Sequence, residues 1–184
     1  YFSGWQQLEP DILARCKSRR AAVLAGGHIG IFPRVLAKLF KIVYTFEPEP
    51  ENFTCLAANC QRENVIKFQC ALGAETRGIS LKTDKPENAG MSYVGSGDDA
   101  RMIAGDDFEL ANIDLIQLDV EGFEYAALHG LERTIARSYP VIVIEQKLSE
   151  RYGISALQME EYFNAIGYKQ VGAYARDLIF KRMP

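Results

Sequence analysis

The sequence lacks any cysteine pattern that would hold a metal or close a redox pair. Of its four cysteines, Cys16, Cys55, Cys60 and Cys70, no two stand in Cys-x-x-Cys spacing. Zinc sites and dithiol centres need such pairs, so the cysteines read as reduced, partly buried thiols. It also lacks an excess of charge. Lys and Arg number 21 against 24 Asp and Glu, a net of -3, which gives no global field to draw in nucleic acid. Long apolar runs are missing too: Val141 to Ile144 falls far short of the roughly 20 residues that span a bilayer. No secretory leader or internal repeat is legible, so the expectation is a cytoplasmic protein with no membrane partner.

What is present is an ordinary globular balance, 48% hydrophobic and 24% charged residues, in a chain the size of one domain. We read residues 1–184 as a single domain, with a helical lead-in over 1–20 and a variable loop or edge-strand insertion over 76–112. Short apolar runs alternate with stretches of helical period, the pattern of βαβ units and a mostly parallel sheet. The runs are Ala21 to Leu24, Ile42 to Phe46, Val65 to Cys70, Ile113 to Leu118 and Val141 to Ile144, with a closing hairpin near Tyr168 to Val171 and Leu178 to Lys181. Helices are predicted through Phe32, Val35, Leu36 and Leu39, from about Glu49 to Cys60, from Glu121 to Ser138, and from Ser155 to Ile166. Polar residues from Asp84 to Asp99, with Gly90, Gly95 and Gly97, predict a loop beside a short edge strand at Ile79 and Leu81.

Two features mark a cofactor site. Leu24-Ala25-Gly26-Gly27-His28-Ile29-Gly30 joins a strand to a helix through glycines, which let a ligand approach the backbone. Glu47 closes the next strand about 20 positions on, where a carboxylate can accept hydrogen bonds from ribose hydroxyls. A pyrophosphate turn needs Gly-x-Gly-x-x-Gly, and Ala25 occupies its first glycine. That spacing disfavours a nicotinamide-dependent oxidoreductase and fits a looser turn around a methionine-like ligand.

Four ordered blocks together resemble the FkbM family of S-adenosylmethionine-dependent methyltransferases. Gly26-Gly27-His28-Ile29-Gly30 is similar to its Gly-Ala-Asn-Ile-Gly turn, and Phe46-Glu47-Pro48-Glu49-Pro50-Glu51-Asn52 to its Phe-Glu-Pro-x-Pro-x-Asn block. Ala71-Leu72-Gly73 resembles its Ala-Leu-Gly. Ile113-Asp114-Leu115-Ile116-Gln117-Leu118-Asp119-Val120-Glu121-Gly122 resembles its Ile-Asp-x-x-Lys-x-Asp-x-Glu-Gly. The resemblance implies an α/β class I methyltransferase, Rossmann-like fold: a mostly parallel seven-stranded sheet with an antiparallel last strand and helices on both faces. It implies S-adenosylmethionine as cofactor and an O-methyl acceptor, a sugar or other small metabolite. Gly26, Gly27, His28 and Gly30 would surround the methionine end, Glu47 with Pro48 the ribose, Ala71 and Leu72 the adenine, and Asp119 the sulfonium.

Asp119, Glu121 and Glu145 are the candidate catalytic residues, all at carboxyl ends of strands, where open α/β sheets bind ligands. Asp119 would orient or deprotonate the acceptor, with a helix N-cap as its structural alternative. Glu121 reads equally as a first-turn carboxylate favoured by the helix dipole. Their spacing gives no metal-ligand motif, and no metal is assigned. His28 reads as a spacer in the turn, and His129 as a surface or packed imidazole. Two positions depart from the family: Leu24 replaces an Asp and His28 an Asn. Leu24 prompts a rival reading, a binding or assembly module that keeps the fold without activity.

Overall fold

The computed structural model describes residues 10–83, 92–145 and 149–183. After a helical stretch at residues 10–15, the elements run β1 (Ala21–Ala25), α1 (Ile31–Leu36), β2 (Ile42–Phe46), α2 (Pro50–Asn59), β3 (Val65–Phe68), β4 (Ala71–Gly73), β5 (Arg77–Thr83) and β6 (Ser92–Ala104). They continue with β7 (Ile113–Leu118), α3 (Glu124–His129), α4 (Glu132–Ser138), β8 (Val141–Glu145), α5 (Ala156–Ala165), β9 (Tyr168–Tyr174) and β10 (Asp177–Arg182).

Seven strands form one sheet in the order β3-β2-β1-β7-β8-β10-β9. Only β10 runs against its neighbours, antiparallel to both β8 and β9. The sequence sets the centre of this sheet. β1 and β7 are buried at every position and β8 at all but Glu145, as near-continuous apolar strands must be when both faces are covered. Alternate side chains feed two cores. Val23, Ile116 and Ile142 join Leu128, Leu131 and Phe163 on one face. Leu24, Leu115 and Val143 join Leu36 and Leu56 on the other. Each such buried side chain contributes about 1.5–3 kcal/mol.

Local chemistry starts the helices where the sequence predicts. Glu49 caps α2 by accepting the Asn52 N–H, with Pro50 in the first position. Ser155 and Gln158 close a reciprocal capping box on α5. One helix differs from expectation. The run predicted from Glu121 to Ser138 is two helices, parted at Gly130, where the carbonyl of Gly73 comes so close that a Cβ would lie 1.8 Å from its oxygen. The second, α4, is capped from a distance: the Asp106 carboxylate accepts the Arg133 and Thr134 amides at 2.7 and 2.8 Å.

The third predicted strand, Val65 to Cys70, is shorter than expected, and a further strand follows it. The first ends at Phe68, and Ala71–Gly73 pairs with β6 in a separate sheet ordered β4-β6-β5. Residues 92–99, predicted as loop, belong to β6; residues 84–91 of that loop and 1–9 of the lead-in lie outside the described residues. The small sheet's long strands β5 and β6 are mostly part-buried or exposed and rich in polar residues and glycine, so they carry little of the apolar alternation by which a strand is read.

Candidate active site

The carboxyl ends of β1, β2, β7 and β8 surround a cavity of about 330 Å³, the size of a small-ligand site. Its floor is the turn after β1. The amides of Gly26 and Gly27 both donate to the Phe46 carbonyl at 3.0 Å, which fastens the turn to the end of β2. Gly26 has φ of 87°, and a Cβ there would stand 2.0 Å from the Asp119 carbonyl oxygen. Asp119 in turn donates its N–H to the Ala25 carbonyl at 3.1 Å. Only glycine permits this backbone-to-backbone approach.

Glu47 faces the turn from β2 and is almost fully buried. One carboxyl oxygen accepts the His28 N–H at 2.7 Å and the other the Glu49 N–H at 3.0 Å. Burial pushes its pKa above the usual carboxylate value, and these two amides oppose the rise. The Asn52 side chain also hydrogen-bonds this carboxyl, and of its roughly four acceptor sites one is left for a ligand hydroxyl. His28 holds φ of 45°, a costly conformation for a side-chain-bearing residue. Burial lowers its pKa, with the Glu49 charge opposing, so its imidazole is neutral at neutral pH.

The opposite wall is the segment between β7 and α3. Here the helix begins at Glu124, with Phe123 ahead of it. Asp119 therefore caps no helix, and Glu121 does not sit in a first helical turn. Glu121 and Gly122 instead form a left-handed bend with φ of 53° and 100°. That bend brings Asp119 and Glu121 to Glu145 at the end of β8, and one oxygen from each lies within 4.8 Å of the others. Among the described residues this is the one acidic grouping that could hold a metal ion. It can equally accept hydrogen bonds from a polyhydroxyl ligand or take up its proton.

Of the residues singled out from sequence, Gly26, Gly27, His28, Glu47, Pro48, Ala71, Leu72, Asp119, Glu121 and Glu145 all line the cavity. Gly30 does not: it precedes α1 and packs against Leu56, whose Cδ1 would be 3.2 Å from a Cβ there. Leu24 is also away from the cavity, fully buried in the core. His129 lies outside the lining, edge-on to Tyr125 and Tyr162 with Nδ1 2.6 Å from Glu132.

Sequence reasoning missed three groups. The small sheet contributes Leu81 and Val94 to the cavity, beside Ser92, which the sequence places in a polar loop able to close over the acceptor; the Tyr152 hydroxyl, donating to the Val94 carbonyl at 3.1 Å, ties that sheet to the segment after β8. Asp177 stands opposite Glu145 in the β10–β8 register; burial, then the Glu145 charge, push its carboxyl up to about 6. The third is Glu124, with no exposed surface at all. A signal for it was available: Glu124 falls on the same stripe as Ala127, Leu128 and Leu131, the inward face of the helical run.

A sheet in this order with one reversed strand, a glycine turn after its first strand and a carboxylate closing its second define the fold of S-adenosylmethionine-dependent methyltransferases. The chain belongs to the FkbM methyltransferase family: the model of the Methyltransferase FkbM domain matches residues 25–169. Among solved structures it is similar to methyltransferase FkbM from Methylobacillus flagellatus KT, at 20% identity and a TM-score of 0.63. That match covers 89% of this chain and 43% of the other, so the chain spans less than half of that relative's length. It is also similar to magnesium protoporphyrin IX methyltransferase from Synechocystis PCC 6803 with bound SAM (13% identity, TM-score 0.58, 98% and 81% covered). A third is SMU.1697c from Streptococcus mutans in complex with SAH (9%, 0.59, 97% of each). No curated protein matches the sequence.

Proposed function

We propose that this chain transfers a methyl group from S-adenosylmethionine to a hydroxyl of a sugar or other small metabolite. The observation that carries this reading is the meeting, in one cavity, of the Gly26–Glu47 wall with the carboxylates of Asp119, Glu121 and Glu145. The lining suits the cofactor chemically: a glycine floor with close backbone approach, a buried carboxylate with a lone pair to spare at Glu47, and apolar Ala71 and Leu72. Gly26, Gly27 and His28 would hold its methionine end, Glu47 and Pro48 its ribose, and Ala71 with Leu72 its adenine. When bound, the cofactor supplies an electrophilic methyl group. Asp119 orients the acceptor hydroxyl and accepts its proton, while Glu121 and Glu145 fix the acceptor's remaining hydroxyls.

An acidic group of Asp119, Glu121 and Glu145, with Asp177 beside Glu145, supports an uncharged or cationic acceptor over a phosphate backbone, which it would repel. Four free cysteines support a reducing, cytoplasmic setting; no helix among the described residues is long and apolar enough to cross a membrane. Calorimetry with S-adenosylhomocysteine and with NAD tests the reading. Binding of the first alone, followed by methyl transfer from labelled donor to a panel of hydroxylated metabolites and its loss in Asp119→Asn, is the expected result. Binding of NAD would favour an oxidoreductase, and binding of neither a non-catalytic module.

A further inference from the structure

Resting on that reading, we infer that Glu124 is a positioning residue for methyl transfer: from the buried face of α3 its carboxyl holds the Val120 and Gly122 amides and so fixes the bend that presents Asp119 and Glu121 to the cavity. Oε1 of Glu124 accepts the Val120 N–H at 3.0 Å and the Gly122 N–H at 3.3 Å. These two amides flank Glu121, and the backbone between them is left-handed at Glu121 and Gly122. Such a bend does not hold itself, because a non-glycine residue at positive φ is strained and persists only where its surroundings over-determine it. Glu124 is that surrounding on one side. On the other, the Asp119 N–H is held by Ala25 and its carbonyl rests against Gly26.

A purely structural role would not call for an acid here. The side chain has no exposed surface, and among the described residues it has no basic partner and an Oε2 that makes no hydrogen bond. A buried carboxyl so sparsely paired is expensive, and an apolar residue of the same length would suit the helix better. What such a residue cannot do is accept two amides from the bend. Burial first, opposed by its own backbone N–H and then by those two amides, and reinforced by the Asp119 charge, raises its pKa, in keeping with a group retained as an acceptor rather than as a charge.

The test uses two ligands that differ at the reacting centre: S-adenosylhomocysteine, and sinefungin, which carries an amine where the donor carries its sulfonium methyl. With Asp119 held beside that centre, the wild type should bind sinefungin at least threefold more tightly. Glu124→Met should lose this preference while its S-adenosylhomocysteine affinity stays within threefold, and Glu124→Gln, which keeps an acceptor oxygen, should retain it. Amide hydrogen exchange at Val120 and Gly122 gives a readout independent of any ligand, with protection falling at least tenfold in Glu124→Met and restored in Glu124→Gln. Retained protection and preference in Glu124→Met, or equal loss in both variants, overturns the assignment. Should S-adenosylhomocysteine not bind the wild type, the methyltransferase reading fails, and exchange at the two amides still decides whether Glu124 holds the bend.

Discussion

Gly26 and Asp119 touch through their backbones, with no room for even a methyl group between the α-carbon of the first and the carbonyl oxygen of the second. The floor of the cavity and the carrier of its foremost carboxylate are thereby joined by direct backbone contact. Gly26→Ala must both adopt positive φ and push Asp119 aside, at a cost on the order of 2–4 kcal/mol. We expect a lower melting temperature and at least tenfold weaker binding of S-adenosylhomocysteine, measured by thermal denaturation and calorimetry.

Glu47 has a double duty, holding the His28 and Glu49 amides and offering a lone pair to a ligand. Glu47→Ala should leave both amides short of an acceptor, costing about 1–3 kcal/mol for each that stays buried. Affinity for S-adenosylhomocysteine should fall by one to two orders of magnitude. An unchanged dissociation constant would remove Glu47 from the ribose site.

Leu24 stands where the family has an acid, and from sequence alone its replacement by Asp is expected to tighten cofactor binding. Its place in the core reverses that expectation. Leu24→Asp would bury a carboxylate in the apolar cluster with Leu36, Val43 and Leu115, which destabilises by about 3–5 kcal/mol. Urea denaturation should show the loss, with no gain in affinity in whatever fraction stays folded.

The raised pKa of Glu124 carries a pH dependence with a definite sign. Burial, partly offset by the amides it accepts, lifts the carboxyl from an ordinary 4.5 to about 8. Between those values the unfolded chain has released this proton and the folded chain keeps it. Glu124 therefore stabilises the fold most below pH 4.5, and that contribution declines as pH rises towards 8, by at most about 1.4 kcal/mol per pH unit. Chemical denaturation across this range should give a shallower decline in Glu124→Gln than in the wild type.

Asp106 caps α4 from within the 3-10 turn Gly105–Phe108 rather than from the preceding residue, accepting two amides and the Thr134 hydroxyl. Asp106→Ala should cost about 1–2 kcal/mol, as for other lost caps, with ligand affinity unchanged. A melting temperature equal to the wild type's would show the cap to be dispensable.

How far the sequence could be read depends on which physical signal each part carries. Central strands such as Ala21–Ala25 and Val141–Glu145 are buried on both faces, so their apolar runs announce them. The glycine turn and Glu47 are legible because the chemistry needs them at a characteristic separation. The convergence of Asp119, Glu121 and Glu145 was foreseeable only as strand ends sharing one rim; the bend that assembles it depends on Glu121 taking a left-handed conformation that glycine or asparagine would signal more plainly. Gly130 reads as an ordinary helical glycine until the carbonyl of Gly73, distant in sequence, is seen beside it. Ser92 and Val94 sit in a strand whose polarity and glycines imitate a loop, and Asp177 reaches the rim by strand register alone.

The insertion of β10 between β8 and β9 has a consequence for biosynthesis. Until residues 177–182 have left the ribosome, the Val-Ile-Val-Ile stretch of β8 has an open hydrogen-bonding edge, and β9 has no partner in the main sheet. A nascent or clipped polypeptide ending before that point would expose a sticky apolar template, the kind chaperones engage and aggregates propagate from. Closure of the central sheet is thus completed by residues 177–182, far in sequence from the glycine turn after β1.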